Sequence, residues 1–190
     1  CMDIASYLRI QYGLRESNDK RFREANQQFE YFRKVYDAEC LAEELYTTLV
    51  VRTVNNRSAQ AEVHQLAKEY FERIQPAMQQ YHTYKLHMYG YMIGLMYYTS
   101  VNDYKEALSY CDKAIAFFKA RPYEARVPLQ IFYYQHLICN IQLRQFEEGK
   151  ESAQQCIKLM QEGTFNWFKY REQYLHLLLH TQRYDEAAGV

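Results

Sequence analysis

Proline and glycine are scarce: three and six in 190 residues. These two residues are the main breakers of regular backbone, so their shortage excludes a turn-dense β architecture and favours long helices on short connections. No sustained apolar/polar alternation bounded by turn clusters occurs, and strands are not expected. No apolar run approaches the roughly 20 residues needed to span a bilayer, which excludes a membrane-crossing helix. Neither sign of charge is in excess, with 23 Lys plus Arg against 23 Asp plus Glu. That balance argues against a nucleic-acid groove as the main function, because phosphate neutralisation needs surplus cations. Gly-rich phosphate loops, GxSxG elbows and paired-carboxylate motifs are lacking, and Glu147 and Glu148, adjacent in sequence, point in different directions on a helix. CxxC pairs are lacking too. Of Cys1, Cys40, Cys111, Cys139 and Cys156, the last three fall at apolar helical positions, where a thiol packs as a small hydrophobe. They read as reduced core residues, and a reducing, cytoplasmic setting is expected. Cys1 has a rival reading as a lipid-modified N-terminus.

A four-residue phrase is present in quantity: aromatic, any residue, Glu, small residue. It occurs at Phe22–Ala25, Tyr104–Ala107, Phe146–Gly149 and Tyr184–Ala187, with leading aromatics 82, 42 and 38 residues apart. The first gap is about twice the others, which predicts a degenerate copy near Val63 and a repeat array with a period near 40 residues. The chain stops six residues after the last phrase opens, and a fragment of a longer protein is expected.

Helical periodicity follows each phrase. After Tyr104, the residues Ala107, Leu108, Cys111, Ala114, Ile115 and Phe118 form an i, i+3, i+4, i+7 stripe. Phe146, Gly149, Ala153, Cys156, Ile157 and Met160 repeat it, as do Phe22, Ala25, Phe29 and Phe32. Asn102 and Asp103 stand where an N-cap and first-turn acid belong, and Pro76 and Pro122 are read as following helix ends. Partner helices with wider apolar coverage are predicted over 39–54, 78–99, 127–143 and 164–181.

This pattern resembles the tetratricopeptide repeat family. Tyr104, Ala107, Cys111 and Ala114 match the aromatic and small positions of its second helix, as do Phe146, Gly149, Ala153 and Cys156. Gly94 and Tyr97 resemble the small residue and aromatic of its first helix. The period of 38–42 departs from the family's 34 by one or two helical turns, and 56–75 lacks the phrase. The resemblance implies an all-α, right-handed α-solenoid of antiparallel helical hairpins, about 4.5 repeats forming one domain over 1–190. It also implies a concave groove lined by the first helix of each hairpin. Gly94 as the anchor puts Met88, Tyr91, Leu95 and Tyr98 on that side, then Gln130, Tyr133, Leu137 and Asn140, then Phe168, Arg171, Leu175 and Leu178. The candidate peptide-binding residues are Tyr91, Tyr98, Gln130, Tyr133, Asn140 and Arg171, with amides for a peptide backbone and Arg for a carboxylate.

The expected function is a non-catalytic protein- or peptide-binding scaffold, a segment of a larger bacterial-style protein, with no cofactor or metal. No membrane or nucleic-acid partner is expected through this domain. Self-association through the exposed C-terminal array end is expected. The alternative is a peptide-sensing regulatory domain of a transcriptional or signalling protein. A remote alternative is an all-α metal-dependent enzyme. Glu172, His176 and His180 recur every four residues on one helix face, and i, i+4 histidines can ligate metal. Against this, Leu177, Leu178 and Leu179 between them read as core. His136 and Cys139 lack a readable third group for nucleophilic chemistry. Twenty tyrosines supply rings with a polar tip, suited to recognition and to half-buried helix edges alike.

Overall fold

The computed structural model describes residues 2–55, 60–123 and 125–189, and these are all-helical without strands. In chain order the helices are α1 (Met2–Ile10), α2 (Asp19–Asn55), α3 (Gln60–Gln80), α4 (Tyr84–Ser100), α5 (Tyr104–Lys119), α6 (Arg126–Gln142), α7 (Phe146–Leu159), α8 (Phe165–His180) and α9 (Tyr184–Ala187). A π-helical turn, Gln11–Arg15, extends α1. Cys1 lies outside the described residues.

The phrase marks helix starts. Tyr104, Phe146 and Tyr184 are the first residues of α5, α7 and α9. Asp103 is the N-cap of α5, its side chain accepting from the Glu106 N–H at 3.2 Å. Its neighbour Asn102 takes a left-handed conformation (φ 57°). Arg144 and Gln182 hold the same position two residues before the next two phrases, at φ 59° each. In all three turns the N–H of the following residue reaches back to a carbonyl five residues earlier: Asp103 to Tyr98, Gln145 to Asn140 and Arg183 to Leu178, at 2.9–3.0 Å. This Schellman-type bond closes the preceding helix and launches the next.

Two expectations are corrected. The Phe22 helix and the predicted 39–54 helix are one 37-residue element, α2. No Gly or Pro interrupts the stretch between them, so propagation, which adds one hydrogen bond per residue, continues. Pro76 does not follow a helix end but lies inside α3, near its C-terminus. There its missing N–H forfeits a single bond to the preceding turn. The degenerate copy near Val63 falls on α3; residues 56–59 lie outside the described residues.

Each helix packs on its chain neighbours, and in addition α2 packs on α4 and α6 on α8. The larger core runs from Leu95 to Leu177 around Phe118, Phe132, Leu137, Cys139 and Cys156; a smaller one joins Ala38 and Ala42 of α2 to Ile74, Met78, Tyr81 and Leu86. Between them runs a chain of rings. Phe71 touches Tyr97, Tyr98 and Tyr110; Tyr110 touches Tyr91; and Tyr91 continues to Phe117, Phe118 and Phe132, at centroid separations of 5.3–6.4 Å. Such pairs, stacked at Phe71–Tyr97 and edge-to-face in the rest, add to area burial by about 0.5–1.5 kcal/mol each. Gly94 makes the close approach possible: a Cβ there would overlap the Tyr110 ring and lie 2.8 Å from Phe71.

Candidate peptide-binding trough

The alternate helices α2, α4, α6 and α8 contribute to one trough. A pocket of about 260 Å³ is lined by Tyr46 of α2, Met92 of α4, four residues of α6 (Gln130, Ile131, Tyr134, Gln135), Met160, and Asn166 and Lys169 of α8. A second hollow of about 310 Å³ shares Gln130 and Asn166 and adds Arg126, Val127, Leu159, Gln161 and Thr164. The trough has an apolar floor with amides interspersed, cations at its margin and no carboxylate in either lining.

Local structure holds these groups. Thr164 caps α8, its hydroxyl oxygen accepting from the Trp167 N–H at 3.3 Å, which sets the start of the helix carrying Asn166 and Lys169. The Arg126 Nε donates to the Leu159 carbonyl at 3.0 Å, tying the start of α6 to the end of α7. Gln130 Nε2 lies 2.6 Å from the Met160 sulfur. The Tyr46 ring packs on Tyr89 at 5.4 Å. Burial raises the Tyr46 hydroxyl pKa, and burial with the Glu172 and Cys156 charges raises that of Tyr134. Both phenols therefore stay protonated, available as donors. Lys169 pairs with Glu172 at 2.9 Å, an exposed contact that an incoming carboxylate can exchange at little cost.

The six residues expected to share a groove are separated. Gln130 lines the trough. Tyr91 and Tyr98 join the ring chain against α5 and α3. Tyr133 is 9% exposed and lies under the Lys119 ammonium of α5. Asn140 is fully buried, which corrects its expected place on an open face. Arg171 donates to the Gly189 carbonyl at 3.2 Å, its guanidinium 5.0 Å from the Trp167 ring. The physical reason is rotational. Gly94 faces α3 and α5, so the row built from it points between helices, and the open row, Met92 then Ile131, Tyr134 and Gln135, is turned by about one residue, some 100°. No sequence signal singled out Tyr46, Met92 or Tyr134 for this role.

Asn140 belongs to a polar cross-link among α5, α6 and α7, buried at Asn140 and Ser152 and open to solvent at Asp112. Its Nδ2 donates to the His136 carbonyl at 3.0 Å and lies 2.9 Å from His136 Nδ1. The Ser152 hydroxyl donates to the Glu148 carbonyl and sits 2.7 Å from the same ring nitrogen; His136 Nε2 lies 3.1 Å from Asp112 Oδ1. The order Ser, His, Asp resembles a nucleophile relay. Ser152, however, is buried and committed to its own helix, and neither trough hollow includes it. The arrangement fastens three helices. Cys139 contacts Cys111 across α5 and α6 rather than pairing with His136. In the histidine stripe, Glu172 is held by Lys169 and His180 stacks on Phe146 at 5.7 Å. Among the described residues no group of three or more His, Cys, Asp or Glu could hold a metal ion, and no helix is long and apolar enough to cross a membrane.

Comparison with protein-family models, with curated proteins and with solved structures finds no match.

Proposed function

We propose that this chain is a non-catalytic binding module, a tetratricopeptide-like array of stacked helical hairpins whose trough takes an extended peptide segment. The observation that carries the reading is the trough lining: Met92, Ile131, Tyr134 and Met160 for side chains, with Gln130, Gln135 and Asn166 between them for main-chain groups. An extended peptide carries an unpaired donor and acceptor at every residue, and interspersed amides answer that need. Flexible methionines accommodate varied side chains. The packing of α2 on α4 and α6 on α8 supports stacked hairpins, because alternate helices then share a side.

The test uses a pool of fluorescently labelled synthetic decapeptides read by polarisation. The parent chain should retain a subset, and Tyr134→Ala combined with Gln130→Ala should weaken that subset at least tenfold with the helical circular-dichroism signal intact. Equal retention by parent and variant, or none by the parent, would overturn the reading.

A further inference from the structure

The N-terminal helix carries a second surface. Of α1, Ala5 is buried against α2, and Arg9 reaches α2 by a 3.4 Å hydrogen bond to Asn26 and by stacking 4.2 Å over Phe29. The outward side holds Ile4, Tyr7, Ile10 and Leu14, all exposed, Leu14 at 81% the most exposed large hydrophobic among the described residues. At 100° per residue these four share one face. The π-helical turn at Gln11–Arg15 keeps Leu14 there, since its wider winding brings Leu14 back beneath Ile10. Two charges close the stripe, Asp3 at its start and Arg15 at its end, and neither makes an ion pair among the described residues. Beside Leu14 an open hollow of about 440 Å³ is lined by Gly13, Leu14, Ser17, Asn18, Asp19 and Phe22.

The geometry points to a second copy of this chain as the occupant: α1 pairs antiparallel with α1 of another molecule about a two-fold axis. The stripe is complementary to itself in that orientation and in no parallel one. Antiparallel pairing sets Asp3 of each copy opposite Arg15 of the other, so two ion pairs form where parallel pairing would oppose like charges. The same register places Ile4 opposite Leu14, at the mouth of the apolar hollow beside Gly13 and Phe22, and Tyr7 opposite Gln11. A two-fold contact uses one patch twice, which a single amphipathic helix supplies. One helix per side is a small interface, so the dimer is a weak, concentration-dependent one. It uses no residue of the trough lining, and it stands whether or not that trough binds peptide.

Sedimentation velocity on the full 190-residue chain from about 5 to 300 µM tests it, in the range where small interfaces associate. The expected result is a monomer–dimer equilibrium that Leu14→Asp weakens at least tenfold. Asp3→Arg and Arg15→Glu each weaken it severalfold, and the double swap Asp3→Arg/Arg15→Glu restores it to within about threefold of the parent. All three positions are exposed, and an unchanged thermal midpoint confirms that the variants fold. Three results would each overturn the proposal: a monomer throughout the range, a dimer indifferent to Leu14→Asp, or single-swap losses that the double swap fails to restore. Phosphatidylcholine–phosphatidylserine vesicles form a separate arm. Vesicle binding by the parent that Leu14→Asp abolishes, without dimerisation, assigns the stripe to a lipid surface instead.

Discussion

The two ends of this molecule solve helix packing differently. From α4 to α8, helices of 14–17 residues follow one another, α4–α5 and α6–α7 joined by tight turns through a left-handed residue, Asn102 and Arg144, and large rings fill the space between the helices. Before α4, one 37-residue helix spans what would otherwise be two elements, and alanine is the commonest buried residue in it and in α1 and α3 taken together. Among the described residues, nine of the thirty buried hydrophobic ones precede Tyr81, and five of those nine are alanine: Ala5, Ala25, Ala38, Ala42 and Ala67. Alanine lets backbones approach but removes little area from water, whereas a buried Phe contributes several times more. Apolar burial per helix is therefore concentrated in the second half. Length alone does not confer local stability, because helices in water draw most of it from packing. Amides of the first half of α2 should exchange with solvent well before those of α5 and α6.

The largest expected effect sharpens that contrast. Phe132 is 1% exposed and meets both Tyr91 and Phe118. Phe132→Ala should cost about 3–5 kcal/mol, measured by urea denaturation, and should abolish slow exchange throughout α4–α7. Persistence of slow exchange in α5 would mean that the ring chain is not one cooperative unit. A smaller effect comes from His87, 4% exposed, its ring 3.9 Å from and parallel to Phe117. Burial, with the charges of His82 and Arg121, lowers its pKa to about 4, although Nδ1–H donates to the Thr83 carbonyl. The unfolded chain takes up the proton near pH 6.5 while the folded chain does not until about 4, so stability falls as pH drops through that window. The loss should total about 3 kcal/mol, and His87→Leu should flatten the slope of unfolding free energy between pH 6.5 and 4. An unchanged slope would place the acid sensitivity elsewhere.

The second half was far more legible than the first, for a physical reason. Its repeat phrase combines a helix start with a small residue that must face a neighbour, so Tyr104 and Phe146 announced both boundary and packing. The predicted 127–143 and 164–181 helices lie within one residue of α6 and α8 at each end. In the first half the phrase at Phe22 falls three residues inside α2, and the absence of a breaker between residues 33 and 39 left nothing to separate two helices. The trough was only half legible. Which helices could line it followed from the expected alternation of helices along the chain, but which residue on each helix did not. Small residues at two positions of α4, Gly90 and Gly94, both mark close approaches, Gly90 to Met78 and Gly94 to Tyr110 and Phe71. Facing inward, they displaced the open face to Met92. Asn140 misled for a related reason: an amide in an otherwise apolar row reads as a surface residue until His136 and Ser152 are seen beside it.

The smallest effect bears on the turns that distinguish the second half. Arg144 sits at φ 59° between α6 and α7, where a side chain crowds the backbone and glycine does not. The turn is held by the Gln145 N–H to Asn140 carbonyl bond at 2.9 Å, which uses no Arg144 side-chain atom. Arg144→Gly removes the crowding in the folded chain but enlarges the conformational freedom of the unfolded one, and the two effects oppose. At a left-handed helix terminus the first wins, so a gain of about 0.5–1 kcal/mol is expected. Asn102→Gly in the equivalent turn should gain less, because asparagine already tolerates this conformation. If thermal unfolding ranked the two substitutions in the reverse order, the turns would be equivalent in backbone shape but not in strain.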